Sequence, residues 1–226
     1  MFTKNLKLTM VLALTVMFVS VAKVGAATIT VSGTCSLDDA ITSSNTNTAT
    51  GGCVAGSGVD TISLPSATMT ISSTPVEFTE SVNIVGQGSG ATVLDSSHQN
   101  GYAFSNRSTQ NPNVNLEVSG ITFRNFGLIN GSSELRVIDI SSSGGNLKVS
   151  DVRFEDTVAS NPVRATSFIN SLINIGNLNS VEITDSHVDN TVINLDQGGN
   201  RASIVMVSSY DPVTQAFNFG AQTKYI

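Results

Sequence analysis

The segment NLEVSGITFRN at residues 115–125 decides the fold, because it returns without a gap as NLKVSDVRFED at residues 146–156. A looser copy, SVEITDSHVDN, occupies residues 180–190, and the opening of the repeat appears earlier as SVNIVGQG at residues 81–88. A period of about 20–50 residues predicts a stack of units, each burying its apolar face only against its neighbours. The equivalent positions of the four copies, 34, 31 and 34 residues apart, are Val82, Leu116, Leu147 and Val181.

The copies have the composition of β-strands. They are rich in Val, Ile, Thr, Ser, Asn and Gly, and apolar residues alternate with polar ones at a period of two. This alternation points Leu116 and Val118 inward and, after a turn, Ile121 and Phe123. We therefore predict an all-β chain, a right-handed parallel β-helix of about five coils at residues 61–210. Coils spaced by about 4.8 Å would give a rod only about 25 Å long.

Two kinds of turn position recur in the copies. The first follows the first strand, where a left-handed or side-chain-bonded backbone is easiest, and holds Gly120, Asp151 and Asp185. The second follows the second strand and holds Asn125, Asp156 and Asn190. We expect the second set to form a hydrogen-bonded ladder from coil to coil, which is a structural role rather than a metal site. The third copy is less regular, since His187 and Val188 stand where the phenylalanine register would fall. A further strand, residues 202–207, is predicted to open another coil.

Composition excludes one class of partner. Of 226 residues only 12% are charged, while 40% are hydrophobic and 19 are glycine. That combination argues against disorder, which needs high charge and little apolar material. The chain has no Trp and only 11 basic residues, so a nucleic-acid groove, which requires a basic surface, is not expected.

Residues 1–26 have the pattern of a cleaved signal peptide. Lys4 and Lys7 precede an apolar run at residues 8–22, and Val24-Gly25-Ala26 predicts a cut between Ala26 and Ala27. A membrane anchor is the alternative, but 15 apolar residues fall short of the roughly 20 that a spanning helix needs. Removal of this segment leaves eight basic and 17 acidic residues, a formal charge of −9. We therefore expect an acidic bacterial protein in the periplasm, on the cell surface or outside the cell.

The chain has two cysteines, Cys35 and Cys53, separated by 18 positions. In an exported protein an isolated pair is most simply a disulfide. A metal site is not expected, because two ligands are too few and no His lies near them.

The segment from Cys35 to Pro65, CSLDDAITSSNTNTATGGCVAGSGVDTISLP, resembles the CSLREA domain, the N-terminal segment of many exported bacterial right-handed β-helix proteins. Asp38-Asp39 replace the family's Arg-Glu, which removes an arginine, and residues 67–71 depart from the usual Gly-Thr-Tyr-Thr-Leu. The resemblance implies an envelope-associated or secreted protein of adhesin-like architecture. The matching residues are Cys35, Ser36, Leu37, Ala40, Ile41, Asn45, Gly52, Cys53, Ala55, Gly56, Asp60, Thr61, Ile62, Leu64 and Pro65.

The residues themselves predict an N-terminal cap at 27–60. Leu37, Ala40 and Ile41 fall on one face of a short helix, and Ser36 with two following aspartates suits its start. A polar loop from Thr42 to Gly52 would follow, and then two alternating strands at 60–65 and 68–72. A helix across the open end of the stack would protect its terminal edge, although an ordinary surface helix is the simpler alternative. Residues 211–226 would form a C-terminal tail or cap, or else the chain is a truncated relative of longer proteins.

Two function classes remain open, and we expect no cofactor and no metal site in this chain. The first is a non-catalytic, structural or adhesin-like protein that binds carbohydrate or a surface protein through exposed Ser, Thr and Asn. The second is an enzyme cleaving acidic polysaccharide, which would need paired carboxylates or a calcium cluster with a base. The hydrolase signatures Asn-x-Asp, Gly-His-Gly and Arg-Ile-Lys are missing, and the two histidines, His98 and His187, are in no recognisable site. The candidate acids and bases are Asp139, Asp151, Asp156, Asp185, Asp189, Arg124, Arg153 and Arg164.

Ice binding is a third class, and it would need a regular column of threonines. Thr122 has Arg153 at the equivalent position of the next copy, so the column is interrupted.

Overall fold

The computed structural model describes residues 25–71, 76–99, 101–106, 113–127, 135–140, 144–159, 169–176, 178–193 and 201–207. Residues 1–24 of the predicted signal peptide (1–26), the tail at 211–226 and Arg164 lie outside these residues. In the described part there are one helix and sixteen strands. In chain order they are β1 (Thr28–Thr30), α1 (Leu37–Thr46), β2 (Asp60–Ser63), β3 (Thr68–Thr70), β4 (Val76–Glu77), β5 (Val82–Val85), β6 (Val93–Asp95), β7 (Phe104–Ser105), β8 (Leu116–Arg124), β9 (Arg136–Ile140), β10 (Asn146–Glu155), β11 (Val158–Ala159), β12 (Ile169–Ile175), β13 (Ser180–Thr184), β14 (His187–Asp189), β15 (Val192–Ile193) and β16 (Arg201–Val207).

The strands stack as a parallel β-helix, as predicted. The first sheet runs β1-β2-β5-β8-β10-β13, and the third runs β4-β7-β9-β12-β16. The second sheet joins β3 and β6 to the C-terminal halves of β8 and β10, and then β14. Every strand-to-strand ladder in the described part is parallel. The second and third sheets each stack five strands, and the four steps between successive strands make about four turns.

The register agrees with the repeat read from the sequence. Val82 pairs with Leu116, Leu116 with Leu147, and Leu147 with Val181. All four side chains are at most 3% exposed. The structure also gives the register of the irregular third copy: Val188 pairs with Phe154 and packs against the core.

The centre of the core is a set of phenylalanines drawn from different coils. Phe123 packs edge-to-face against Phe104 and Phe126, with ring centroids 5.7 and 5.9 Å apart. It stacks on Phe154 of the next coil at 5.4 Å. These rings are at most 2% exposed, so the Phe123 side chain links three successive turns and two sheets.

Both predicted turn columns adopt left-handed backbone. Gly120, Asp151 and Asp185 have φ of 65°, 50° and 49°. Glycine is required at 120, because a Cβ there would lie 2.9 Å from the Gly88 nitrogen. Aspartate tolerates this conformation at the other two positions.

One link of the predicted Asx ladder is present, since the Asn190 amide donates to Asp156 Oδ1. The Asn125 amide donates instead to both oxygens of Asp95, a residue outside the predicted set, at 3.0 and 3.1 Å. The repeat opens on a second polar ladder that we did not predict. Its links join Ser81 to Asn115, Asn115 to Asn146, and Asn146 to Ser180.

The cap helix begins where the sequence predicts. The Ser36 hydroxyl accepts a hydrogen bond from the Asp39 backbone nitrogen at 3.1 Å, and Ala40 and Ile41 are buried. Helix α1 contacts β1, β2 and β4, which belong to two different sheets, so it lies over the end of the stack. Asn45 fastens it there by donating to the Glu77 carbonyl and accepting from the Thr79 nitrogen, both at 2.8 Å.

The predicted cysteine pair is also present. Cys35 and Cys53 are within disulfide-bonding distance, with 4.7 Å between their Cα atoms. Each residue is 5% exposed.

Three expectations about element positions were wrong. The stack begins with β1, which pairs in register with β2, so the parallel sheets start before residue 61. The helix continues to Thr46, where we expected a loop from Thr42. Strand β16 joins β12 in the third sheet and therefore completes the coil begun by β13 instead of opening a new one.

Candidate functional site

The candidate acids of the enzyme hypothesis are dispersed among structural contacts. Asp139 is fully buried, with Arg136 Nη1 at 3.1 Å and the Asn174 amide at 2.7 Å. Asp151 instead accepts from the Ser89 hydroxyl at 2.6 Å and the Ser89 nitrogen at 3.2 Å. The Arg136 contact lies within β9, the Asn174 contact joins β12 to β9, and the Ser89 contact joins segments 62 positions apart.

The other two acids of the turn columns, Asp156 and Asp185, have left-handed backbone at φ of 50° and 49°. Asp156 also accepts the Asn190 amide. Their positions follow from the turns, which is a structural role.

Charged side chains gather on the outer face of the second sheet, which we call the charged strip. It places Arg124 beside Asp95, with Nη2 2.9 Å from Oδ2, and Arg153 beside Asp189 at 3.2 Å. Both candidate bases in the described part are thus in ion pairs. The strip comprises Asp95, Arg124, Arg153, Glu155, His187 and Asp189.

Asp95 is the best-anchored carboxylate of the strip. Burial alone would raise the pKa of Asp95, but hydrogen bonds from Asn125, from the Ser97 nitrogen and from Arg124 outweigh burial. The net effect lowers the pKa below its ordinary value of 3.8. Asp95 is therefore ionised at neutral pH, which suits an ion pair and not a general acid.

The described residues contain no group of three or more His, Cys, Asp or Glu side chains that could hold a metal ion. His98 has left-handed backbone, and its buried Nδ1 has no hydrogen-bond partner among the described residues, while His187 is exposed on the charged strip. His187 thus shares the charged strip with the candidate acid Asp189, while His98 lies in the turn after β6.

The first turns present a different surface, which we call the uncharged patch. It is the outer face of β1, β2 and β5, and register places Thr28, Thr61 and Asn83 in one row. Thr30 and Ser63 form the next row. Thr28 and Thr30 are exposed and the other three are half-buried. This surface offers hydroxyl and amide groups in a regular array about 4.8 Å apart.

A groove of about 390 Å³ lies beside the first coil, and we call it the cap groove. Its size is that of a small-molecule site, about 300–1,000 Å³. One wall continues directly from Thr30 of the patch into Val31 and Ser32. The groove has apolar and polar walls, formed by Val31, Ser32, Gly33, Cys35, Ser36, Leu37, Asp38, Pro65, Met69, Thr70 and Ile71.

Sequence reasoning missed the patch because it missed β1. The repeat pattern starts at residue 81, and β1 has only three residues, so no periodicity identifies it. The sequence did contain one indication of β1, the alternation Thr28, Ile29, Thr30, and in the structure only Ile29 of these three is buried.

Comparison with family models, with curated proteins and with solved structures finds no match to this chain. The resemblance to the CSLREA domain therefore stands on residues 35–65 alone. In the described part of the chain, no helix has the length and apolar character needed to cross a membrane.

Proposed function

We propose that this chain is an exported, non-catalytic β-helix protein of the bacterial envelope or extracellular space, and that it binds carbohydrate through the uncharged patch. The observation that carries the proposal is the patch itself. Five neighbouring side chains on three strands are uncharged hydrogen-bonding groups, in a chain whose formal charge is −6. The adjoining cap groove would extend the contact.

Sugars are recognised by hydrogen bonds to their hydroxyl groups. Thr, Ser and Asn both donate and accept such bonds, so they match a partner that does the same. A row of these groups on rigid strands keeps its geometry without a ligand, which lowers the entropy cost of binding. A neutral or weakly charged glycan fits this surface better than a polyanion, because the acidic chain repels anionic polymers at low salt.

Export is supported by three features of the chain. Residues 1–26 have the signal pattern, residues 35–65 resemble a segment of exported β-helix proteins, and Cys35 and Cys53 lie at disulfide distance. Structural disulfides persist in oxidising compartments and are rare in the cytosol of most organisms.

Cleavage of acidic polysaccharide is the alternative function. Asp139 is buried in an ion pair, Asp151 binds Ser89, and Arg124 and Arg153 face carboxylates. A base held in an ion pair with a carboxylate is a poor proton acceptor. The contacts of these residues therefore favour binding over catalysis.

The test is a glycan array probed with the purified protein, run beside a polysaccharide-degradation assay. Changing Thr28 and Thr61 to Val keeps the shape and removes two hydroxyls, and we expect about a tenfold loss of affinity for the glycan bound. Thr184→Val, on the same sheet face at the far end of the stack, is the matched control and should bind as wild type.

Equal binding by the double variant would remove the patch from the proposal. Turnover of a uronate polymer by the wild-type protein would contradict the non-catalytic function and favour the alternative.

A further inference from the structure

Asp60, the first residue of β2, places a carboxylate in the interior. The residue is fully buried, and its Oδ1 accepts the backbone nitrogens of Ser57 at 2.7 Å and Ala27 at 3.1 Å. Its other oxygen, Oδ2, is buried and has no hydrogen-bond partner among the described residues. Half of this carboxylate is therefore unsatisfied.

Gly56 keeps the space around this oxygen tight. A Cβ on Gly56 would lie 2.3 Å from Asp60 Oδ2 and 2.7 Å from the Ser44 Cα. The carboxylate is thus enclosed by the loop before β2 and by helix α1. No ion pair within the described residues includes Asp60. A buried carboxylate without a cation is costly, and one that is paired and fully hydrogen-bonded is not.

The Ala27 nitrogen is one of the two backbone nitrogens that donate to this carboxylate. As a peptide nitrogen it has one hydrogen, which points toward both the Ser57 carbonyl at 3.2 Å and Asp60 Oδ1 at 3.1 Å. Two acceptors therefore compete for one donor, and Oδ2 receives none. Ala27 is also the first residue after the predicted cleavage position.

We propose that Asp60 is the binding site for the α-ammonium group of Ala27, created when a signal peptidase cuts between Ala26 and Ala27. Hydrolysis adds water across that peptide bond: Ala26 leaves as a carboxylate, and the Ala27 nitrogen becomes an ammonium with three hydrogens. Three donors then match three acceptors, the Ser57 carbonyl and the two Asp60 oxygens. The pair joins β1 to β2 by charge, in addition to the Thr61 nitrogen donating to the Ala27 carbonyl at 2.8 Å.

The residues just before the predicted cleavage position make few contacts, so their removal costs the folded chain little stability. Gly25 and Ala26 are exposed, and the one side-chain contact to them within the described residues is from the Ser57 hydroxyl to the Gly25 carbonyl. Cleavage therefore gives up one surface hydrogen bond and completes a buried ion pair. The first coil reaches full stability only after processing, which suits a chain that crosses a membrane before it folds.

The inference rests on the export half of the proposed function and is independent of glycan binding. The test begins with the N-terminal sequence of the protein secreted by a bacterial host, which should start at Ala27. Two further chains are then made by removing a tag: one starts at Ala27, and the other at Gly25, where Ala27 keeps a neutral amide. Each is made with Asp60 and with Asp60→Asn.

We expect the chain that starts at Ala27 to melt at least about 3 °C above the chain that starts at Gly25, and this gap to vanish with Asp60→Asn. We also expect the Ala27 amine to react with an acylating reagent more slowly than the Gly25 amine, since it is held in an ion pair. If Asp60→Asn does not fold, acetylation of the Ala27 amine in the wild-type chain replaces it and should lower the melting temperature to that of the longer chain.

Equal melting of the two chains, or a gap that survives Asp60→Asn, would overturn the proposal, as would a mature N-terminus other than Ala27. None of these readouts uses a glycan, so failure of the patch variants on the array leaves them unchanged.

Discussion

The capped end and the middle coils of this molecule are held together in different ways. Between β5 and β13 each coil repeats the contacts of the one before, with apolar residues in register and ladders such as Ser81-Asn115-Asn146-Ser180. The cap uses contacts that occur once: a disulfide, the Asn45 bonds to β4 and the buried Asp60.

This difference follows from position in the stack. A middle coil has two like neighbours and can gain stability from repetition, whereas the first coil has a neighbour on one side only. The end therefore needs specific links, and these also close an edge that would otherwise pair with another chain. The loss of a single contact should therefore affect stability differently in the cap and in the middle coils.

The largest effect is expected in the middle coils. Phe123→Ala would remove a ring that touches Phe104, Phe126 and Phe154, at a cost of about 3–5 kcal/mol. Phe123→Leu, which leaves most of the volume filled, should cost clearly less. Denaturant titration of both variants measures the difference, and equal losses would show that the ring contacts contribute little beyond size.

Removal of the disulfide is expected to act on the cap. Closing a loop of 18 residues stabilises the folded state by about 3 kcal/mol in the chain-entropy model. Cys35→Ser with Cys53→Ser should therefore lower the melting temperature by as much as reduction lowers that of the wild type. Identical melts with and without reductant would mean that packing alone holds the cap.

Two glycine-to-alanine substitutions distinguish the effect of the tight turn at Gly120 from the general effect of replacing a glycine. Gly120→Ala places a Cβ 2.9 Å from the Gly88 nitrogen at φ of 65°, and we expect about 2 kcal/mol of destabilisation. Gly90→Ala is the control, because nothing lies within 4 Å of its Cβ and its φ is not positive. Similar losses in chemical denaturation would contradict the close approach of neighbouring turns.

The smallest effect is a dependence on acid in the charged strip. Folding lowers the pKa of Asp95 from 3.8, so its stabilisation is present above about pH 4 and is lost as pH falls through the lowered pKa. In the Asp95→Asn variant, the free energy of unfolding should depend less steeply on pH below about pH 4. Thermal melts from pH 2 to pH 6 measure this slope, and an unchanged slope would show that Asp95 gains nothing from Asn125 and Arg124.

The repeat allowed the coils to be predicted in detail. The alternation of apolar and polar residues sets the inward face of a strand, and the spacing of the copies sets the pairing of Leu116 with Leu147. Left-handed turns at Asp151 and Asp185 followed from residue type alone. These features are local or periodic, so one sequence is sufficient to identify them.

The candidate site was less predictable, because it depends on contacts between segments that do not resemble each other. The pairing of Asp139 with Arg136 and Asn174 buries an acid that looked available for catalysis. The cap groove joins residues 31–38 to residues 65–71, and only the path of the chain brings these together. Strand β1 is too short for its pattern to stand out.

The most direct test of the account is hydrogen exchange, read peptide by peptide, in the oxidised and the reduced protein. The account predicts that reduction speeds exchange in β1, β2 and helix α1 and leaves the paired strands β8 and β10 protected. Loss of protection throughout the stack would contradict it, because cap and coils would then be one cooperative unit. Unchanged protection in the cap would equally contradict it, because the disulfide would not be what holds that end.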